Sequence, residues 1–515
     1  MIPRACIGVP LLLVLVVHFA LAQNPGAVKT LVLMLSTGTS LPDPAHAGPA
    51  TAAHPEVLRF EKVQISKYFW SEGSAIADIN RDGHTDIVAG PFWYEGPEFK
   101  VRHEILPATE TFKRQRADGA EETVEGFEGA LGTHNAYSNA FFEFVYDFNH
   151  DGWPDVLVIG FPGEETAWYE NPGPVAGPDR YWQRHVVIEG VTNESPAFVD
   201  LFATGTPVIV CTMGMRLGYV TPDSRNVSGP WTFHAISPSL PSLEHLTHTF
   251  GAPFQGKPWP FAHGLGYGDV NSDGRLDVLD ADGWWEQPLS VSGDPVWKFH
   301  PWPFLKRRPA AATQQTFSAP PTDDEFERVL RYYKWPYSLG GAQIIVSDVN
   351  GDGLPDIISS LDAHGYGLAW FEQLPGSKRQ QGTQFRPHFI MNPGPAGRSH
   401  QVSFTQLHAL SLVDLEGLGS GKDIITGKRF WAHGPEGRDP ENKAPAVLYA
   451  FRRVRHGNRR VDYVPILIDS DSGIGTQVAV GDVNGDGLPD IVISNKKGTF
   501  LFLQQAAGPQ TASMW

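Results

Sequence analysis

The chain reads as an all-β protein, a seven-bladed β-propeller of four-stranded blades, and three features say so. The pattern D-x-N-x-D-G-x-x-D occurs five times, starting at Asp78, Asp147, Asp269, Asp348 and Asp482. Each copy is followed by a short β-forming run, as in Asp86-Ile87-Val88, Asp155-Val156-Leu157 and Asp490-Ile491-Val492, and not by a helical period. Glycine, proline and tryptophan are abundant, which suits many short strands joined by turns.

Two degenerate copies fill the gaps between the loops. Phe198-Val199-Asp200-Leu201 leads to Pro207-Val208-Ile209-Val210, and Ser411-Leu412-Val413-Asp414 leads to Asp423-Ile424-Ile425-Thr426. The anchors Asp78, Asp147, Asp200, Asp269, Asp348, Asp414 and Asp482 then fall 53 to 79 residues apart, a repeat long enough for four strands. One apolar strand enters each loop and a second leaves it. A third is aromatic (Phe92-Trp93-Tyr94, Trp168-Tyr169, Trp284-Trp285, Trp370-Phe371), and a fourth carries aromatic-x-x-His, as in Trp182-Gln183-Arg184-His185. The last unit has room for only three strands, so residues 58–65 are expected to supply its fourth and close the ring, which removes an exposed edge.

The remaining segments follow from composition. Residues 1–22 read as a signal peptide, with Arg4, an apolar run over 7–22 and the small-x-small end Ala20-Leu21-Ala22. Cleavage near Ala22 would place the protein outside the cell or in a periplasm. Residues 23–55 read as a flexible leader, 56–505 as the propeller and 506–515 as a polar tail. No other long apolar stretch suggests a membrane span. Only Cys211 remains beyond the signal, so no intramolecular disulfide is expected, and the oligomeric state is left open. The net charge of −17, with no basic stripe, argues against a nucleic-acid partner.

The acidity is concentrated in the loops. Oxygen side chains at positions 1, 3, 5 and 9 around a bend-permitting glycine are what Ca²⁺ requires. The candidate ligands are Asp78, Asn80, Asp82 and Asp86, then Asp147, Asn149, Asp151 and Asp155, then Asp269, Asn271, Asp273 and Asp277. Asp348, Asn350, Asp352 and Asp356 form the fourth set, and Asp482, Asn484, Asp486 and Asp490 the fifth. Five Ca²⁺ would reduce the formal charge to about −7. An EF-hand is disfavoured because it needs a following helix and a glutamate at position twelve. Over roughly 57–505 the loops resemble the FG-GAP/VCBS repeat, the calcium-loop unit of integrin α-subunit propellers and of many secreted bacterial proteins.

In such a fold the first strand of each blade lines the axis. Six residues before each anchor stand Glu72, Phe141, Glu194, His263, Ala342, His408 and Thr476. Glu72, Glu194, His263 and His408 form a candidate ligand set for Zn²⁺ or another divalent metal, against the simpler reading of a water-filled channel with polar rims. The turns between second and third strands return to the same face. They carry Asp282, Asp362, His364, Lys428, Arg429, Lys496 and Lys497, and the connection over 106–140 adds His134 and Tyr137. His134, His364, Lys428 and Lys496 are the candidate acid–base residues. The recurring strand-four histidines, His103, His185, His234, His300 and His388, read as packing elements.

Calcium-loop blades together with Thr133-His134-Asn135-Ala136-Tyr137-Ser138-Asn139 and Phe261-Ala262-His263-Gly264 make the chain similar to the propeller domain of aldos-2-ulose dehydratase. The resemblance implies a metal-dependent lyase or dehydratase acting on a sugar or oxidised sugar, with a metal held in the propeller. The chain departs from that family in lacking cupin domains and in carrying an export signal. The alternative expectation is a non-catalytic, integrin-like propeller that binds a glycan or a protein and holds no metal beyond calcium.

Overall fold

The computed structural model describes residues 14–19, 29–34, 58–108, 111–115, 119–125, 137–175, 181–214, 216–238, 262–302, 304, 341–376, 383–392, 402–417, 422–433 and 439–506. The chain divides into two compact units, Met1–Glu56 and Val57–Trp515. In the first, Val14–Phe19 pairs antiparallel with Lys29–Met34, across the boundary between the expected signal and leader.

The second unit is a β-propeller built from small antiparallel sheets, as the spacing predicts. Among the described residues there are five four-stranded sheets and one of eight strands. The eight-stranded sheet consists of two four-stranded halves joined by parallel pairing of Leu265–Gly268 with Gln343–Ser347. Arg59–Ser66 pairs antiparallel with Gly498–Gln505, so the N-terminal strand completes the last sheet as expected. A separate hairpin of Thr111–Gln115 and Glu121–Glu125, not anticipated from the sequence, stands in the long connection after the first sheet.

The second strands of these sheets are the most deeply buried, and their centres are apolar. Asp86–Ala89, Asp155–Ile159, Asp356–Ser360, Asp423–Gly427 and Asp490–Asn495 are buried at every position, because neighbouring sheets cover both faces. Each hydrophobic cluster is shared by two successive units. Trp168 and Ile209 belong to one, Trp370 and Phe451 to another. The ring closes through a cluster uniting Trp70, Ile87 and Phe92 with Val483, Val492 and Leu501.

Amide side chains at the end of the third strands tie adjacent sheets together. Gln373 Nε2 donates to the Val270 carbonyl of the preceding unit and to Pro355, both at 2.9 Å. Asn171, Gln287 and Gln504 make the equivalent bonds to Ile79, Leu201 and Leu415. The strand-four histidines lie opposite the strand-three aromatics. His300 stacks on Trp284 at 3.9 Å and 5° while bonding Glu286, and His388 stacks on Trp370 at 4.2 Å while bonding Glu372. Their task is packing.

Candidate metal centre

The five acidic loops share one hydrogen-bond pattern. In the first, Asp78 accepts the backbone N–H groups of Asp82 and Gly83, and Asn80 Oδ1 accepts that of Asp82. The loops at Asp147, Asp269, Asp348 and Asp482 repeat it. The degenerate Asp200 loop keeps the turn, accepting from Thr204 and Gly205, but lacks the other carboxylates. Asp86, Asp155, Asp277, Asp356 and Asp490, at position nine, are buried and accept two backbone N–H groups each, as Asp86 does from Ile79 and Gly96. A carboxylate has further lone pairs, so these contacts leave ligand capacity. Burial, followed by smaller contributions from neighbouring aspartates, pushes Asp155, Asp277 and Asp356 up to about 7. A divalent cation would reverse that shift.

The axial residues found by counting back from the anchors are all buried. Glu72, Phe141, His408, Ala342 and Thr476 are 2% exposed or less, and Glu194 and His263 are 6% exposed. Backbone bonds between neighbouring units hold them, with Thr476 N–H donating to Glu72, Glu72 to Ala140, and Glu194 to Ala262. Gln343 Nε2 also reaches the Thr476 carbonyl at 3.0 Å.

Two groups form here, and their membership differs from the expected quartet. Glu72 does not join the histidines. Its Oε2 accepts from Arg429 Nε at 3.0 Å, and its Oε1 lies 3.6 Å from Lys496 Nζ. Two cations brought in by the second-to-third-strand turns claim this carboxylate, and offset counting along first strands could not reveal them. Arg429 Nη1 donates to Glu194 Oε2 at 3.1 Å, so one guanidinium clamps both glutamates while lying over the Phe141 ring.

The second group is three imidazoles. His263, His364 and His408 are buried, and one ring nitrogen from each lies within 4.8 Å of the others. His364, expected as an acid–base residue, therefore stands among the potential ligands. Its turn is shaped by Asp362, whose Oδ1 accepts the N–H groups of His364 and Gly365. A Cβ at residue 365 would lie 2.3 Å from Asp362 Oδ2, so any larger residue would force that carboxylate to shift. Glu194 Oε2 borders the trio, 3.2 Å from His263 Nε2 and 4.0 Å from His408 Nε2.

The electrostatics favour neutral rings at His364 and His408. Burial lowers His408 well below the ordinary imidazole value, assisted by Arg429 and the other two histidines, and burial lowers His364 as well. Among the described residues, both nitrogens of His408 have no hydrogen-bond partner, and His263 Nε2 has only its 3.2 Å contact with Glu194 Oε2. Orphaned buried polar atoms are costly and rare, and a ligand shared by these nitrogens would satisfy them. Burial would raise Glu194, but His263 and Arg429 outweigh it and keep the carboxylate ionised. Lys428 donates to Thr405 Oγ1 at 2.7 Å and Lys496 to the Trp431 carbonyl at 2.9 Å. Burial lowers each lysine to about 8. His134 lies outside the described residues.

The sequence reading passed over Asp439. Its carboxylate lies 3.3 Å from His364 Nδ1 and 2.9 Å from His433 Nδ1, so His364, His433 and Asp439 form a second group of metal-ligating type. No repeat register points to it, because it lies in the long connection between the second and third strands of the sheet spanning 410–469.

Residues 474–508 match the FG-GAP repeat. No curated protein matches the chain in sequence. Among solved structures, the chain is similar to an Agrocybe aegerita lectin that recognises non-reducing terminal N-acetylglucosamine, at 12% identity and a TM-score of 0.36, covering 86% of this chain and 87% of the lectin. It is similar to an exotype rhamnogalacturonan lyase at 11% identity and a TM-score of 0.34, covering 84% and 71%. A Bacillus licheniformis rhamnogalacturonan lyase is similar at 12% identity and a TM-score of 0.32, covering 95% and 79%. Among the described residues no helix is long and apolar enough to cross a membrane.

Proposed function

We propose that this is an exported, calcium-stiffened propeller of seven blades, each half of the eight-stranded sheet counting as one. In our reading it carries a divalent metal on its axis and catalyses elimination from a sugar or oxidised sugar, as a dehydratase or lyase. The observation that carries the reading is the convergence of the buried His263, His364 and His408, with burial lowering His364 and His408 and both His408 nitrogens left without a hydrogen-bond partner, beside the ionised Glu194. Three imidazoles and a carboxylate suit Zn²⁺ or a neighbouring first-row ion. The resemblance to the propeller domain of aldos-2-ulose dehydratase supports the same chemistry.

When bound, the metal would act as a Lewis acid toward a sugar carbonyl and acidify the adjacent C–H. The protein's own groups handle the protons. Lys496, near 8 and partly neutral at mildly alkaline pH, accepts the proton from carbon. The C–H electron pair becomes the new C=C bond. Lys428, in its ammonium form, protonates the departing hydroxyl, which leaves as water. Arg429 keeps Glu72 and Glu194 in place and stays charged throughout. The D-x-N-x-D-G loops hold about five Ca²⁺ and take no part in the chemistry.

Metal analysis of purified protein beside His263→Ala and His408→Ala tests this. Wild type should contain one transition-metal equivalent that both variants lose, with calcium unchanged in all three. Calcium alone, equal in all three proteins, would remove the centre of the proposal and leave the glycan- or protein-binding propeller.

A further inference from the structure

Asp439 and His433 have no part in the roles above, and their geometry about His364 is specific. The Asp439 side chain is 6% exposed, and a histidine stands on each side of it. His433 Nδ1 is 2.9 Å from both carboxylate oxygens, and His364 Nδ1 is 3.3 Å from Oδ1. A carboxylate can only accept, so His433, which bonds it, carries its proton on Nδ1, whereas His364 Nδ1 faces the same carboxylate at 3.3 Å without a hydrogen bond of good geometry. The two rings stack at 4.4 Å and 28°, which fixes their planes. His433 is 38% exposed, whereas the His364 side chain is 9% exposed and sits against His263 and His408, with ring centroids at 4.9 and 4.6 Å.

The segment bearing Asp439 is tied down. The Pro440 carbonyl accepts from Thr405 Oγ1 at 2.8 Å, and that same hydroxyl accepts from Lys428 Nζ. Tyr366, two residues beyond His364, bridges to Thr405. The carboxylate and the imidazole it faces are thus fixed relative to each other across two sheets.

We infer that Asp439 is a positioning residue for the axial centre: it holds the His364 proton on Nδ1, leaves the Nε2 lone pair for a divalent cation, and is braced from the solvent side by His433. This rests on the axial metal reading above and names residues that reading does not require. Carboxylate partners of this kind orient a ligating imidazole and raise its basicity, and their loss commonly costs 10- to 100-fold in metal affinity.

Co²⁺ binding to the full-length, metal-depleted protein tests it, followed by visible absorption, with calcium held constant. Wild type should bind one equivalent at the axis. Asp439→Asn should weaken binding roughly 10- to 100-fold and alter the d–d bands, and His433→Gln should weaken it less. Long-range ¹H–¹⁵N spectra of metal-free wild type supply a reading independent of any variant's folding, with His364 assigned through His364→Gln. The Nδ1–H tautomer is expected. The Nε2–H tautomer, or an Asp439→Asn protein binding Co²⁺ within twofold of wild type, overturns this inference while leaving the axial metal standing. A second Co²⁺ equivalent lost in His433→Gln also overturns it, because Asp439 would then be a ligand. Absence of Co²⁺ binding by wild type overturns both readings.

Discussion

Replacing Arg429 with methionine isolates the electrostatic keystone of the axis. The side chain is 1% exposed and makes two charge-assisted bonds, to Glu72 and Glu194. Methionine keeps much of the volume over Phe141 but leaves the carboxylates with one cation fewer. Glu72 still has Lys496 Nζ at 3.6 Å, whereas Glu194 keeps only imidazoles lowered by burial or held near it. Removing one partner of a buried ion pair costs about 3–5 kcal/mol. The retained Lys496 contact places the expected loss toward the lower end, about 3 kcal/mol. The pH dependence has a definite sign. Glu194 is depressed in the folded protein, so its contribution is present above the unfolded glutamate value of about 4.3 and fades as pH falls toward the folded value. The deficit of Arg429→Met should therefore be full at pH 7 and shrink below about pH 5, as an unpaired Glu194 protonates. Denaturant unfolding at fixed calcium, from pH 4 to 8, measures this, with Arg429→Met/Glu194→Gln alongside. A deficit under about 1 kcal/mol at pH 7, or one that Glu194→Gln fails to relieve, would refute the clamp.

Two further outcomes concern the scaffold. Gln373→Leu removes the amide that satisfies the Val270 and Pro355 carbonyls and should destabilise by about 2–4 kcal/mol, whereas the exposed Gln505→Leu should stay within about 0.5 kcal/mol, as read by the same unfolding measurement. Chelating calcium should lower the melting temperature, since each site held at 100 times its Kd contributes about 2.7 kcal/mol. An unchanged melt would mean that the loops stand without a cation.

Local chemistry made most of the fold readable. The D-x-N-x-D-G-x-x-D turns are set by side chains bonding backbone amides two to five residues away, so their conformation travels with the motif. The closing strand was readable because the last repeat was one strand short. The aromatic-x-x-His pattern marked His300 and His388 as packing elements, and strand register sets them opposite Trp284 and Trp370. The axial offset brought out Glu194, His263 and His408 because residues at one position of a repeat must meet on the ring's axis. It misplaced Glu72 for the same reason: the rule sees first strands only, and the cations that claim Glu72 arrive on turns. Asp439 follows no period, so no counting could find it.

The repeat thus specified its own architecture, since each unit's strands, turn and interface lie within a few dozen residues. The chemistry of the axis was a different matter. Arg429 and Glu72 are 357 residues apart, and Glu194 and Arg429 are 235 apart. Whether they pair depends on closure of the ring and on the path of long connecting turns. His364 moved from proton carrier to potential ligand because the Asp362 turn and Asp439 aim it at His263 and His408. Burial inside the closed ring then lowers His408, His364, Lys428 and Lys496 toward reactive forms, and desolvation of that kind exists only once all the sheets have met.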